Sequence, residues 1–376
     1  MPWKEVSVMS SRREFVQLAT QPQANIAQLC RRFGISRNTG HKLLKRYRVE
    51  GQAALADRSR RPHHSPARTA PAIEKRVVEL RQQVHWGGRK LRRRLRDMGF
   101  SEVPAASTIS DILRRHGLIE RGEADQHRAW QRFEYAEPNQ LWQMDFKGHF
   151  ATQHGRCHPL TILDDHSRFC VSLSACANEC ASTVQHSLTQ SFRRYGLPER
   201  MLMDNGAPWG SDVRYTMTVL TVWLIRLGIR PCHGRPYHPQ TQGKDERFHR
   251  SLQAELLCHR HFKDLVHCQR EFDPWREIYN FERPHEALQL EVPAKRYRAS
   301  SRDFPERLPP IEYAAHDEVR LVRARGDIFF KGFRLPICRA LCDLPVALRP
   351  TSIDGQWQVY FCHHHITTLD LRIAVK

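Results

Sequence analysis

The chain has 376 residues, 40% of them hydrophobic, and a formal net charge of +20. That length implies two to four domains with real cores and excludes wholesale disorder. No run approaches the roughly 18–20 apolar residues of a membrane span, and the N-terminus lacks an apolar signal core, so a cytoplasmic protein without membrane contact is expected. Eleven scattered cysteines, an odd number, fit free thiols better than a disulfide framework.

The charge is concentrated. Residues 1–135 carry 28 Lys and Arg against 13 Asp and Glu, whereas residues 136–376 carry 32 against 27. A basic third of a chain points to a docked polyanion, because neutralising phosphates releases counterions. The segment Asn25–Tyr47 reads as a helix-turn-helix. Ile26, Leu29, Cys30 and Phe33 recur at helical spacing, Gly34 breaks the helix, Ile35 plugs the turn and Ser36 caps the next helix. That second helix buries Leu43, Leu44 and Tyr47 and offers Arg37, Asn38, His41 and Lys42 to a DNA major groove. An ordinary helical hairpin has the same apolar pattern; the surrounding charge favours the DNA-binding reading. The expected domain spans 1–56.

Residues 57–71 form a basic, proline-punctuated linker in which Arg58, Arg60 and Arg61 can follow a DNA backbone. A second all-helical unit is expected over 72–122. Its run Arg89–Arg96 keeps only Leu91 and Leu95 apolar, which suits Lys90 and Arg93 to phosphate contact or, alternatively, to a solvated face. From 136 to 298, strands alternate with helices, as in an α/β core. Expected strands are Leu141–Phe146, Cys157–Leu163, Phe169–Ser174 and Arg200–Asp204; expected helices are Thr183–Tyr195, Arg214–Leu227 and one starting near Lys244. Residues 312–376 hold short strand-like runs broken by Gly, including one over Ile328–Leu335, at a spacing that suggests a small β-barrel.

Three acids carry the chemical reading. Asp145 and Asp204 close expected strands, and strand ends in α/β folds converge where binding sites collect. Glu246 starts a helix whose apolar stripe is Phe248, Leu252 and Leu256, and it points away from that stripe. Asp245, nearer the stripe, is the rival. Hard oxygen ligands suit Mg2+ or Mn2+, and two such ions can serve in-line displacement at phosphorus. Each acid alone has an ordinary alternative as a strand-end or helix-cap carboxylate; the constellation in chain order is what favours a site.

The segments Leu141–Gly148, Leu163–Phe169, Met203–Gly210 and His238–His249 resemble the integrase core of bacterial insertion-sequence transposases, and Tyr279–Leu288 resembles the segment that closes that core. The resemblance extends over nearly the whole chain. It implies a multidomain protein with N-terminal helix-turn-helix units, a central ribonuclease-H-like α/β core and a C-terminal SH3-like β-barrel. It also implies an Asp-Asp-Glu triad, here Asp145, Asp204 and Glu246, holding Mg2+ or Mn2+. The implied partners are double-stranded DNA, as terminal inverted repeats and target, and further copies of the chain assembled on that DNA. The implied location is the bacterial cytoplasm, associated with the nucleoid. The implied chemistry is cleavage by water and then attack by the freed 3′ hydroxyl. The gap of 41 residues between Asp204 and Glu246 exceeds the usual retroviral integrase spacing, so an insertion is expected within Trp209–Leu227.

Lys244, Arg247, His249 and Arg250 flank Glu246 as candidate phosphate contacts, Asn205 can steady Asp204, and His238 is either a proton carrier or a loop residue without a role. Asp164 and Asp165 read as a turn between paired strands, not as metal ligands. The Cys258–Cys268 and Cys362–His365 clusters lack clean zinc spacing. The alternative function is a catalytically inactive, domesticated transposase acting as a DNA-binding regulator.

Overall fold

The computed structural model describes residues 7–58, 68–119, 134–210, 217–233 and 243–373. The chain divides into two compact units, Met1–Arg68 and Thr69–Lys376. In the first, α1 (Val8–Ala19), α2 (Ile26–Arg32) and α3 (Arg37–Glu50) pack around Phe15, Val16, Cys30, Leu44 and Leu55. Ser36 caps α3 by accepting the Thr39 amide at 3.1 Å, and Gly34 turns the chain at φ +64°. Arg37, Asn38, His41 and Lys42 are all exposed.

The second unit opens with α4 (Pro71–Val84), α5 (Gly88–Asp97) and α6 (Ala106–Arg115), closed around Val77, Trp86, Leu91, Leu95, Ile109 and Leu113. Gly88 is where α5 and α6 meet: a Cβ there would lie 2.5 Å from the Ala106 carbonyl oxygen and 2.6 Å from Ser110 Oγ. Gly88→Ala is expected to cost about 1–3 kcal/mol through this overpacking. Urea denaturation checks it, and an unchanged midpoint would mean that the two helices part without strain.

The core sheet is built from β1 (Trp142–Phe146), β2 (Phe150–Thr152), β3 (Gly155–Asp164), β4 (Cys170–Cys176), β5 (Arg200–Met203) and β6 (Arg230–His233). Strand β3 pairs antiparallel with β1, β2 and β4, whereas β5 runs parallel to β1 and β6 parallel to β5. The spatial order β4-β3-β1-β5-β6, with β2 on the end of β3, is the ribonuclease-H-like arrangement. Strand alternation gives the sheet two buried faces. Trp142, Met144, Leu160 and Ile162 pack beneath α7 (Ala181–Tyr195) and α8 (Val219–Arg226). Cys157, Leu163, Cys170 and Leu173 pack beneath α9 (Gly243–Glu255) and α10 (Leu265–Glu277). Tyr279–Leu288 follows α10 as irregular helical turns, and Asn280 there bonds both backbone groups of Cys170, at 2.7 and 2.9 Å, closing the free edge of β4.

The expected Arg214–Leu227 helix is shorter, Val219–Arg226, with 211–216 outside the described residues. Strands β2 and β6 escape sequence detection because each is short and only half-buried. Helix α8 lies between two cores. Leu220, Trp223 and Leu224 face the sheet, while Val222 and Ile225 join the C-terminal cluster of Val346, Leu348, Val359 and Phe361.

The C-terminal strands are β7 (Glu318–Leu321), β8 (Asp327–Phe330), β9 (Phe333–Pro336), β10 (Pro345–Pro350), β11 (Gln356–Phe361) and β12 (His364–Asp370). They do not confirm the expected barrel. One sheet runs β12-β11-β10-β7, and β8 pairs only with β9, so among the described residues no pairing closes the barrel. A tight turn, with the Arg323 amide donating to the Asp327 carbonyl at 2.8 Å, carries the chain out of β7. Lys331 and Gly332, both at positive φ, then fold the expected single strand Ile328–Leu335 into a hairpin.

Candidate active site

Strand register brings two of the acids together. Gln143 pairs with Leu202 in the parallel β1–β5 ladder, so Asp145 and Asp204, each two residues further on, end neighbouring strands on the same face. That face is covered by α9, which anchors through Phe248 and Leu252 and carries an exposed Glu246 in its first turn. Asp204 is also exposed and accepts the Asn205 amide at 2.6 Å.

Asp145 is the half-buried member, and its carboxyl is pushed up to about 6. Desolvation is the first cause; the negative charges of Asp204, Glu179 and Glu246 add to it, against one backbone amide that lowers it. Glu179, on the loop after β4 and bonded to His158 at 2.8 Å, is an acid that sequence patterning did not single out. Behind Asp145, Thr161 Oγ1 donates to the Asp145 carbonyl at 3.0 Å and lies 2.9 Å from His249 Nε2. With the Thr161 proton so used, His249 Nε2 is the donor, a tautomer assigned from the network. Its Nδ1 faces the Asp145 carboxylate at 4.0 Å. Burial, then Lys147, push the His249 imidazole down to about 4, so it is neutral at pH 7. His249 therefore braces the end of β1.

The other expected site residues divide by environment. Arg250 is exposed, and Arg247 lies 3.6 Å from Glu286. Lys244 turns inward to Asp165, and Lys90 is half-buried 4.0 Å from Glu255. Arg93 pairs with Asp97 at 2.9 Å, and Arg58 pairs with Glu50. Arg60, Arg61 and His238 lie outside the described residues. Asp164 closes the turn after β3, accepting the Asn139 amide and both the amide and hydroxyl of Ser167. Asp245 is 1% exposed on the stripe of Phe248, and neither of its carboxyl oxygens has a hydrogen-bond partner among the described residues.

Among the described residues no three His, Cys, Asp or Glu side chains stand close enough to cage a metal ion, the cysteine and histidine clusters included. The donor set nonetheless fits a hard divalent cation. Asp145, Asp204 and Glu246 offer carboxylate oxygens, the charges of Asp204 and Glu246 both disfavour ionised Asp145, and a bound cation would offset that effect.

Two models of the integrase core domain match residues 136–239 and 227–293. The chain carries an integrase core domain. Its C-terminal residues 317–375 match the C-terminal domain of the IS481 family transposase. Residues 11–63 match a helix-turn-helix domain and 39–113 a homeodomain-like domain. Among curated relatives, the insertion element IS407 31.7 kDa protein of Burkholderia multivorans is 26% identical over 44% of this chain and 58% of its own length. The insertion element IS476 39.2 kDa protein of Xanthomonas euvesicatoria is 25% identical over 76% of this chain and 77% of its own. The chain thus spans little more than half of the first relative and about three quarters of the second. Together these likenesses make it similar to bacterial insertion-sequence transposases with an integrase core. Among solved structures, a simian T-cell lymphotropic virus intasome in complex with the PP2A regulatory subunit B56 gamma matches with a TM-score of 0.38 and 16% identity. That match covers 78% of this chain and 99% of the other. Among the described residues, no helix is long and apolar enough to cross a membrane.

Proposed function

We propose that the protein is the transposase of an insertion sequence: it binds the element's ends and cuts and rejoins DNA through Asp145, Asp204 and Glu246. The observation that carries this reading is geometric: the parallel β1–β5 register ends two neighbouring strands on Asp145 and Asp204, and Glu246 stands in the first turn of the helix over that face. A shared divalent cation would draw acids from two strand ends and a helix together, a role that no structural need of the fold supplies. Mg2+ or Mn2+, bound as two ions by these carboxylates, supplies Lewis acidity to the attacking and leaving oxygens of a phosphodiester. The chain's own residues do the rest. Neutral His249 and Thr161 fix the end of β1, and exposed Arg250, with Arg247 alongside, offers charge to the phosphates flanking the scissile bond. Water first breaks the bond at the element end, leaving a 3′ hydroxyl. That hydroxyl then attacks a target phosphodiester, and the target strand leaves with its own 3′ hydroxyl. Two ends must be held together, so the working form is an oligomer of this chain on DNA.

Arg37, Asn38, His41 and Lys42 on α3 read the element end, with Arg58, Arg60 and Arg61 following its backbone. Arg37→Ala and Lys42→Ala are expected to weaken end binding roughly 5–100-fold, the phosphate contacts also flattening the salt dependence. Gel-shift titration across salt concentrations checks this, and undiminished affinity removes α3 from the interface. The function itself is tested by incubating the protein with labelled duplex from the element's end, a target plasmid and Mg2+. Nicked ends and end-to-target joints support it; specific binding with neither product favours a DNA-binding regulator.

A further inference from the structure

The acids gathered at the sheet edge come from elements far apart in the chain, and something has to hold the helix that carries Glu246 against the strand that carries Asp145. A buried polar cluster lies between them. Asp165, in the turn after β3, is 1% exposed. Its Oδ1 accepts Gln143 Nε2 at 2.6 Å, its Oδ2 accepts the Tyr135 amide at 2.9 Å, and Lys244 Nζ donates to Oδ1 as well. Gln143 stands two residues before Asp145 on β1, on the same face. Lys244 stands two residues before Glu246 in the first turn of α9 and also reaches the Asp165 backbone carbonyl, at 3.4 Å. One carboxylate therefore touches both carriers.

We infer that Asp165 is a positioning residue: through Gln143 and Lys244 it ties the strand of Asp145 to the first turn of α9 and so sets where Glu246 stands. The inference rests on the reading of Asp145, Asp204 and Glu246 as the reactive acids. Two features support it. Only the first turn of α9 lacks the apolar anchorage that Phe248 and Leu252 give the rest of the helix. A charged pair whose carboxylate is withdrawn from water, as that of Asp165 is, also holds its geometry more strictly than a fully exposed one, because the carboxylate has no solvent to turn to. Asp165 is thereby distinct from its neighbour Asp164, whose oxygens are all used within the turn and on Asn139.

The test uses the full chain with Asp165→Asn, and with the double change Asp165→Asn and Lys244→Met, which removes both charges together and so keeps a folded protein if the single change does not. Amide hydrogen exchange on the metal-free protein is expected to speed up at least tenfold over residues 243–249 and to stay unchanged in α7. Titration with Mn2+ alone, read by the spin-resonance signal of the free ion, is expected to show roughly tenfold weaker binding. Cleavage is expected to recover to within a few-fold at saturating Mn2+. Lys244→Arg, which keeps the cation, is expected to restore Mn2+ affinity to near that of the unaltered protein. Unchanged exchange over 243–249 overturns the tether, and faster exchange with unchanged Mn2+ affinity overturns its role at the site. Asp145→Asn serves as the separate control. If that variant binds Mn2+ and cuts DNA normally, the reading of the acids fails, whatever Asp165 does.

Discussion

Asp145→Asn, Asp204→Asn and Glu246→Gln are each expected to lower strand cleavage by at least about a thousandfold in Mg2+, roughly 4 kcal/mol of transition-state stabilisation, while end binding stays near normal. Each variant keeps the shape of the side chain and removes the charge that would hold a cation, so the loss falls on chemistry and not on folding. Single-turnover assays on a pre-nicked end, with gel shifts alongside, separate the two; full cutting by any one variant strikes that residue from the site. Stability should move the other way for Asp145. Its carboxyl is pushed up to about 6, above the ordinary carboxylate value of 3.8, so folding favours its protonated form. The metal-free protein therefore loses stability as pH rises from about 4 to 6 and stays penalised above that. At pH 8 without metal, Asp145→Asn is expected to be more stable than the parent by on the order of 1–3 kcal/mol. Added Mg2+ should close that difference by stabilising the parent alone. Thermal melts with and without the ion measure both effects.

Glu255→Ala is expected to be the most destabilising single change at the junction between the second helical unit and the core, at about 3–5 kcal/mol. Glu255, at the end of α9, accepts two nitrogens of Arg283 at 2.7 and 2.9 Å and Trp86 Nε1 at 3.3 Å, with Lys90 4.0 Å away. The side chains of Arg283 and Glu255 are 7% and 9% exposed. Removing the carboxylate strands a guanidinium and an ammonium in a nearly dry site. Lys90 is already pushed down to about 8, by burial first and then by Arg283, with Glu255 opposing both. Its loss from the pair should therefore release a proton on folding. Denaturant unfolding at pH 7 and pH 9 tests this. The variant should lose less at the higher pH, where Lys90 can discharge, and a loss under about 1 kcal/mol at both would mean that water already reaches the site.

These two results bear on how the basic N-terminal third is used. Sequence patterning assigns the arginine-rich run of α5 to phosphate contact or to solvent, and periodicity alone cannot choose. In the folded chain part of that run faces acids of the core: Lys90 meets Glu255, Arg94 meets Glu282, and Arg89 lies 3.9 Å from Glu286. Charge composition reveals a basic surface but not which members are already paired with acids more than 150 residues away. The exposed Arg37, Asn38, His41 and Lys42 differ because a helix-turn-helix is a local structure, fixed by short-range capping and by its own apolar stripe.

Short-range signals made much of the architecture legible in the residues alone. The Ser36 cap, the Gly34 break and the Phe248/Leu252 stripe each act within a few residues, so their helices follow from local physics. The long strands β1, β3 and β4 follow for the same reason. Tertiary structure alone decided the rest, because pairing partners come from distant parts of the chain. Register in the β1–β5 ladder put Asp145 beside Asp204. The sheet buried Asp245 and left Glu246 exposed one position later, since adjacent helix positions point about 100° apart. A hairpin at Lys331-Gly332 split one expected strand in two, and Lys244, an expected DNA contact, was placed against Asp165. A residue's type limits what it can bond; only the folded chain determines which neighbour is within reach.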